Sequence, residues 1–373
     1  MKRASMRVLV TADAVGGVWQ YSLDLARGLA RLGIGTVLAV LGPAPDEEQR
    51  AAAGGVPGLK LVETGLALDW LAEDGRALRE ASEAISALAK SEGVDLVQLN
   101  TPALAAQARF AVPVIAVQHS CVATWWEAVR GTPLPEDFEW RTALVRQGLH
   151  KADLVAAPTA AFGESVRRVY GLPESPWTVH NGRTPLPVRE GAGHDFAFTA
   201  GRLWDEGKNI ATVDRAAAGL PIPVRAAGPL KGPNGAEVIF DHLHCLGQIG
   251  EAELADWLSA RPVFVSAALY EPFGLAVLEA AAAGCPLILS DIPTFRELWE
   301  DVAIFVKPRD EQGYISAISA LVQDDFERAS RGRLAAERAA RFTPDVMAAQ
   351  MASLYRRLLP AVPGPVLAAR AAA

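Results

Sequence analysis

Cysteine is scarce: the 373-residue chain has three, Cys121, Cys245 and Cys285. They lie far apart in mostly apolar surroundings, which excludes a disulfide framework or a cysteine-based metal site and suits a reducing cytoplasm. The six histidines show no metal-ligand spacing. Positive charge is not in excess either. The net charge of −7 excludes a general nucleic-acid binder, which needs a basic face. No apolar run approaches the roughly 18 residues of a membrane span. The basic opening Met1–Ser5 runs into a strand pattern, not the apolar stretch of a signal peptide. G-x-G-x-x-G, the dinucleotide fingerprint, is absent after the first strand.

What remains is the make-up of a two-domain globular protein, 50% hydrophobic and 21% charged. Short apolar runs alternate with helical patterns along both halves, which predicts α/β architecture with parallel sheets. In the first half the strands are Arg7–Thr11, Thr36–Leu41, Val94–Leu99, Pro113–Val117 and Asp153–Ala157, with helices over Trp19–Leu32, Arg76–Lys90 and Glu164–Tyr170. Thr184–Gly193 is rich in Pro and Gly and reads as a linker. The second half gives strands at Phe196–Ala200, Pro223–Gly228, Val263–Val265, Pro286–Ser290 and Ala303–Val306. Ala252–Ser259 is amphipathic, and a helix starts near Pro293 or Thr294. Thr343–Leu359 is a helix with Thr as N-cap and Pro at its first position, and Met347, Met351, Leu354, Tyr355 and Leu358 share one face. The Ala/Pro/Gly-rich tail 361–373 is expected to be disordered.

One stretch concentrates the chemistry. Tyr270-Glu271-Pro272-Phe273-Gly274-Leu275 to Gly284 reads as a strand end, a turn and a helix, with Pro272 in the first helical turn and Gly284 at its left-handed end. From Phe273 to Ala283 only Glu279 is neither apolar nor glycine. A helix apolar all round is buried, so Glu279 is a carboxylate carried inward that needs a partner. Glu271 precedes free helix-start N–H groups, which attract anions. A sugar nucleotide carries the matching groups, diphosphate and hydroxyls. The plainer alternative is a capping glutamate and a core glutamate paired to an arginine.

Glu271-Pro272-Phe273-Gly274 to Glu279 resembles the E-x-F-G-x-x-x-x-E signature of glycosyltransferase family 4 (glycosyl transferases group 1), a retaining family with the GT-B fold. The resemblance implies that Glu271 holds the transferred sugar, that Glu279 holds the ribose, and that Phe273, Gly274 and Leu275 line the donor. Gly201-Arg202-Leu203 followed by Lys208-Asn209 is similar to the family's second donor motif. Two cations there would stabilise charge growing on a departing diphosphate. Gly16-Gly17 matches the glycine loop beside the diphosphate and acceptor, where N–H groups are expected to be free. His119, after the Pro113–Val117 strand, matches a histidine that reaches the donor sugar or its phosphate. Gln248 and Ile249 fall in the loop that holds the base through main-chain groups. Trp177-Thr178-Val179-His180-Asn181-Gly182 resembles the V-x-N-G turn at the domain border, with His180 where proline is frequent.

The expected layout is therefore GT-B: residues 1–185 as a Rossmann-like acceptor domain, 186–342 as a Rossmann-like nucleotide-sugar domain, and 343–360 as a helix crossing back to the first. The implied activity is transfer of a hexose from a UDP- or GDP-sugar to a hydroxyl of a saccharide, a lipid-linked or a small-molecule acceptor, with retention. There is no D-x-D motif, so neither metal nor other cofactor is expected. Peripheral contact with the inner face of a membrane stays open through lipid-linked acceptors. The competing readings are a non-catalytic sugar-nucleotide-binding subunit and another GT-B enzyme such as a sugar-nucleotide epimerase. Trp125, Trp126, Phe138 and Trp140 lie among charged residues and read as either a hydrophobic seam, which is favoured, or a sugar platform.

Overall fold

The computed structural model describes residues 6–72, 74–189, 195–232 and 235–359. The tail 361–373 lies outside them, and the linker expected at Thr184–Gly193 is described only as far as residue 189.

Apolar runs with β-branched residues form two parallel sheets. The first contains β1 (Arg7–Asp13), β2 (Gly35–Leu41), β3 (Leu59–Glu63), β4 (Leu96–Leu99), β5 (Val114–Val117), β6 (Leu154–Ala157) and β7 (Trp177–Thr178), in the order β3-β2-β1-β4-β5-β6-β7. The second contains β8 (Ala197–Ala200), β9 (Val224–Ala227), β10 (His244–Gly247), β11 (Val263–Ser266), β12 (Leu287–Ser290) and β13 (Ile304–Val306), in the order β10-β9-β8-β11-β12-β13. Both are the doubly wound sheets that the alternating pattern predicts. Strands β3, β7 and β10 were not anticipated: β3, Leu-Lys-Leu-Val-Glu, is nowhere fully buried, and all three are edge strands without a continuous buried apolar run. The helices Glu47–Gly54, Val122–Val129, Glu139–Lys151, Ile210–Ala217, Glu311–Gln323 and Asp325–Ala339 were likewise not foreseen.

The final helix, Pro344–Leu358, packs on the first sheet's core. Met347, Ala348, Met351, Ala352, Leu354 and Tyr355 are buried in one cluster with Val8, Val10, Leu25 and Leu29. Thr343 caps it, its hydroxyl accepting from Val346 N–H at 3.2 Å. The Tyr355 hydroxyl donates to Gln98 Oε1 at 2.5 Å, anchoring the helix to β4. The helix Gly17–Arg31 meets this last helix at Gly28, where a Cβ would lie 2.5 Å from the Pro344 carbonyl oxygen and 2.6 Å from Ala348 Cβ.

That contact is backbone against backbone, with nowhere for an added methyl to go. Gly28→Ala is expected to destabilise the protein by about 1–3 kcal/mol through overpacking. A thermal or urea melt equal to that of the wild type would disprove this close approach.

Candidate functional site

In each sheet the strand order reverses beside the first strand, between β1 and β4 and between β8 and β11. Open α/β sheets bind ligands outside the carboxyl ends of strands at such points. The candidate residues collect there. Beyond β8, residues 201–209 are laced to the chain leaving β11. Leu269 and Tyr270 donate N–H groups to the Gly207 carbonyl at 2.8 and 3.2 Å, and Asn209 Nδ2 donates to the Ala267 and Pro308 carbonyls at 2.8 and 2.7 Å. This lacing places Lys208 Nζ directly on Glu271 Oε2. Arg202 donates to Asp205 Oδ2 at 2.9 Å and lies over the Trp204 ring at 5.6 Å. Both expected clamp cations are thus already oriented by carboxylates.

The helix after Glu271 corrects the expected boundary. It runs Leu275–Ala282, so Pro272 is not in its first turn. Gly274 takes φ 93° and ψ 69°, a left-handed geometry that halts any earlier helix and that glycine alone adopts easily. Pro272 lies in the preceding loop, where its carbonyl accepts the Thr159 hydroxyl at 2.9 Å. The helix is not buried all round either: Leu275, Ala276, Glu279 and Ala282 are only partly covered. Leu275 and Glu279 stand one turn apart on one face, and Leu275 reaches the glycine loop. A Cβ on Gly17 would lie 3.3 Å from Leu275 Cδ1. Glu279 does have a partner. Arg183 Nε donates to its Oε1 at 2.6 Å, the pairing that the plainer alternative described. Burial pushes the Glu279 carboxyl above its ordinary range, against the pull of Arg183.

On the opposite side the glycine loop differs from expectation at one amide. Asp13 Oδ1 accepts the N–H groups of Val15 and Gly16 at 2.9 and 3.1 Å, so the Gly16 N–H is not free for a phosphate. The loop closes on its own carboxylate because Asp13 ends β1 with its side chain turned back over the turn. Gly17 opens the helix Gly17–Arg31, so its N–H has no acceptor within that helix. Burial raises the Asp13 carboxyl, while the Val15 and Gly16 amides and, less, the charge of Arg202 act to lower it.

His119, beyond β5, packs edge-on against Tyr21 with ring centroids 4.3 Å apart. Its Nε2 lies 3.2 Å from Asn100 Oδ1. Asn100 Nδ2 is spent on the Thr11 carbonyl and Ser22, so Oδ1 is an acceptor and Nε2 carries the proton. Burial holds the imidazole down at about 3. At neutral pH the ring is uncharged, with Nδ1 left as a lone-pair acceptor. That suits a sugar hydroxyl better than a phosphate.

Gln248 is exposed, and Ile249 is partly covered against the second core. Both lie between β10 and the helix Glu251–Ser259, outside either element.

In the aromatic stretch the rings pack on one another, half-buried, and Trp125 reaches across to the second domain. Trp126 packs against Trp125 and Phe138 with centroids 6.1 and 5.8 Å away. The Trp125 indole N–H donates to Asp205 Oδ1 at 3.0 Å, and Arg130 meets Glu206 at 2.6 Å. A third contact has Glu297 accepting the Ala160 and Ala161 N–H groups at 2.9 and 2.8 Å while holding His180 Nε2 at 3.0 Å. Sequence reasoning missed Arg183, Asp205 and Glu297 as site-shaping residues. Arg183 directly follows the Asn181-Gly182 turn, and the need of Glu279 for a buried partner was the signal that pointed to it.

The half-buried, neutral His119 has a stability consequence. Its folded pKa lies below the unfolded value, so the unfolded chain takes up the proton first as pH falls below 6.5. The stability margin of wild type over His119→Gln is expected to shrink by about 2 kcal/mol between pH 7.5 and pH 5. Urea midpoints at the two pH values check this, and an unchanged margin would refute a neutral half-buried ring.

Comparison with known proteins fits this geometry. The family model described as Glycosyltransferase Family 4 matches residues 15–184, and that of Glycosyl transferases group 1 matches residues 198–324. A phosphatidyl-myo-inositol mannosyltransferase from Mycolicibacterium smegmatis is 32% identical over 117 residues, 31% of this chain and 30% of that protein. A D-inositol 3-phosphate glycosyltransferase from Streptomyces avermitilis is 31% identical over 109 residues, 29% of this chain and 24% of that protein. The chain thus matches less than a third of the length of either relative. Among solved structures, sucrose-phosphate synthase from Thermosynechococcus elongatus superposes with TM-score 0.75 at 21% identity, covering 95% of this chain and 99% of that one. Anabaena HepE in complex with UDP superposes with TM-score 0.69 at 16% identity, covering 95% and 100%. The fold is GT-B, and the chain belongs to glycosyltransferase family 4, the glycosyl transferases of group 1.

Proposed function

We propose that this protein is a retaining hexosyltransferase that takes a sugar from a nucleoside-diphosphate donor and joins it to an acceptor hydroxyl without a divalent ion. The observation that carries the reading is the convergence of Arg202, Lys208 and Glu271 at the β8/β11 switch point, opposite Gly17 at the β1/β4 switch point. A diphosphate between them would meet a guanidinium, an ammonium, the Gly17 N–H and the start of the helix Leu275–Ala282. These groups balance its charge as the donor bond breaks. Asp205 and Glu271 keep the two cations in place before the donor arrives, so little reorganisation is needed.

The chemistry follows from the groups present. The bond between the anomeric carbon and the phosphate oxygen breaks, and one from that carbon to the acceptor oxygen forms on the same face. The acceptor proton passes to the departing phosphate oxygen, so no protein nucleophile or base is required. Glu271 orients the hexose and Glu279 the ribose, while His119 Nδ1 accepts a hexose hydroxyl. Gln248 and Ile249 offer main-chain groups to the base. Phe273, expected to line the donor, is instead buried in the second core edge-on to Phe342. Some curated relatives are named for inositol-containing acceptors and others for glycogen or O-antigen chains, so polyol and saccharide acceptors are the classes to screen. No helix among the described residues is long and apolar enough to cross a membrane.

The test is ligand binding followed by turnover, with EDTA present throughout. UDP, GDP or ADP at 100 times its dissociation constant should raise stability by about 2.7 kcal/mol. Arg202→Ala and Lys208→Ala should each weaken that nucleotide by roughly tenfold or more, as expected for a lost charge-assisted contact. The anomeric coupling of the product, read by NMR, should match that of the donor. Inverted product would overturn retention, activity abolished by EDTA would overturn metal independence, and unchanged affinity in both variants would overturn the clamp.

A further inference from the structure

We propose that Arg183 is a positioning residue for donor binding. It holds one oxygen of Glu279 so that the other is presented to the donor's ribose, and it ties that carboxylate to the first domain. The inference rests on the donor-site reading above and adds a residue to it.

Arg183 lies in the segment that leaves the first domain, and its side chain is only 4% exposed. Each of its three nitrogens is used. Nε donates to Glu279 Oε1 at 2.6 Å, Nη2 to Glu251 Oε1 at 2.6 Å and Nη1 to Asp24 Oδ2 at 3.3 Å. Asp24 belongs to the helix Gly17–Arg31 of the first domain and is itself fully buried. It also accepts the Thr184 hydroxyl at 2.6 Å, Gln20 Nε2 at 2.9 Å and Arg27 at 3.1 Å. Glu251 and Glu279 belong to two helices of the second domain. One planar cation therefore joins three helices from both domains.

A guanidinium has a rigid fork, so its three contacts fix each other's directions. With Oε1 taken by Arg183, Glu279 Oε2 has no partner among the described residues. Glu279 lies one turn along from Leu275, on the face that meets the glycine loop. Two guanidiniums, Arg27 and Arg183, face three carboxylates, Asp24, Glu251 and Glu279, so one negative charge is left over. A group with surplus negative charge and one open oxygen accepts hydroxyl donors and repels phosphate. It therefore selects an unmodified ribose edge.

The test compares a ribonucleoside diphosphate with its 2′,3′-dideoxy analogue by calorimetry, using whichever of UDP, GDP and ADP the wild type binds. Wild type should prefer the ribose form by roughly tenfold, and Glu279→Gln should lose most of that preference, since a hydrogen bond to a charged group is worth about 1.5–3 kcal/mol. Arg183→Gln should shrink the preference to about twofold and raise the donor KM by about tenfold with kcat little changed, by the same loss. Arg183→Lys, which keeps the charge without the fork, should fall between. If Arg183→Gln leaves buried carboxylates uncompensated and does not fold, Arg183→Lys and the double variant Arg183→Gln/Asp24→Asn carry the measurement. A residue that serves folding alone would lower the melting temperature and leave the ribose preference at the wild-type value, which would overturn the inference while sparing the donor site. A wild type that binds none of the three nucleotides, or binds them without ribose preference, would overturn the ribose role of Glu279 and the inference with it.

Discussion

A charge buried between two domains must be answered where it stands, because water cannot reach it. Arg183 is such a charge, and its carboxylate partners come from both sides of the molecule. Moving the domains apart would take Arg183 away either from Asp24 or from Glu279 and Glu251, at a cost of several kcal/mol. The arrangement of the two sheets is therefore set at the border by an electrostatic demand, with the hydrophobic crossing of the last helix behind it. The cleft in front, with its clamp and glycine loop, inherits its geometry from that border.

Much of this was readable in the chain. Strands buried on both faces announce themselves as apolar runs, and all the central strands were found that way. The final helix was legible to its cap and its buried face, because Thr343-Pro344 and the period of Met347, Met351, Leu354 and Tyr355 are local signals. The edge strands β3, β7 and β10 were not, since strands that are half in water or only a few residues long have a mixed composition. Pro272 misled because proline fits both a first helical turn and a loop, and the left-handed Gly274 that decides between them is a tertiary choice.

The candidate site divides along the same line. Motif spacing brought Arg202, Lys208, Glu271 and Glu279 forward, and the fold places them at the carboxyl ends of the second sheet's strands. What spacing cannot give is the partner of each charge. Asp13 closing over the Gly16 amide depends on the turn of a single side chain. The neutral state of His119 depends on burial and its tautomer on the amide of Asn100, and both come from packing against other elements. Contacts between domains, such as Trp125 with Asp205, leave no periodic trace in either partner.

The crossing of the last helix has a consequence for how the molecule is made. The core around Leu29 is completed by Met347, Ala348 and Met351, which leave the ribosome more than 300 residues later. At about 5–20 residues per second this interval is roughly 15–65 s. During it, the nascent first domain carries a strip of uncovered apolar side chains along the helix Gly17–Arg31. A slowed ribosome would lengthen this exposure without altering a single contact of the finished protein.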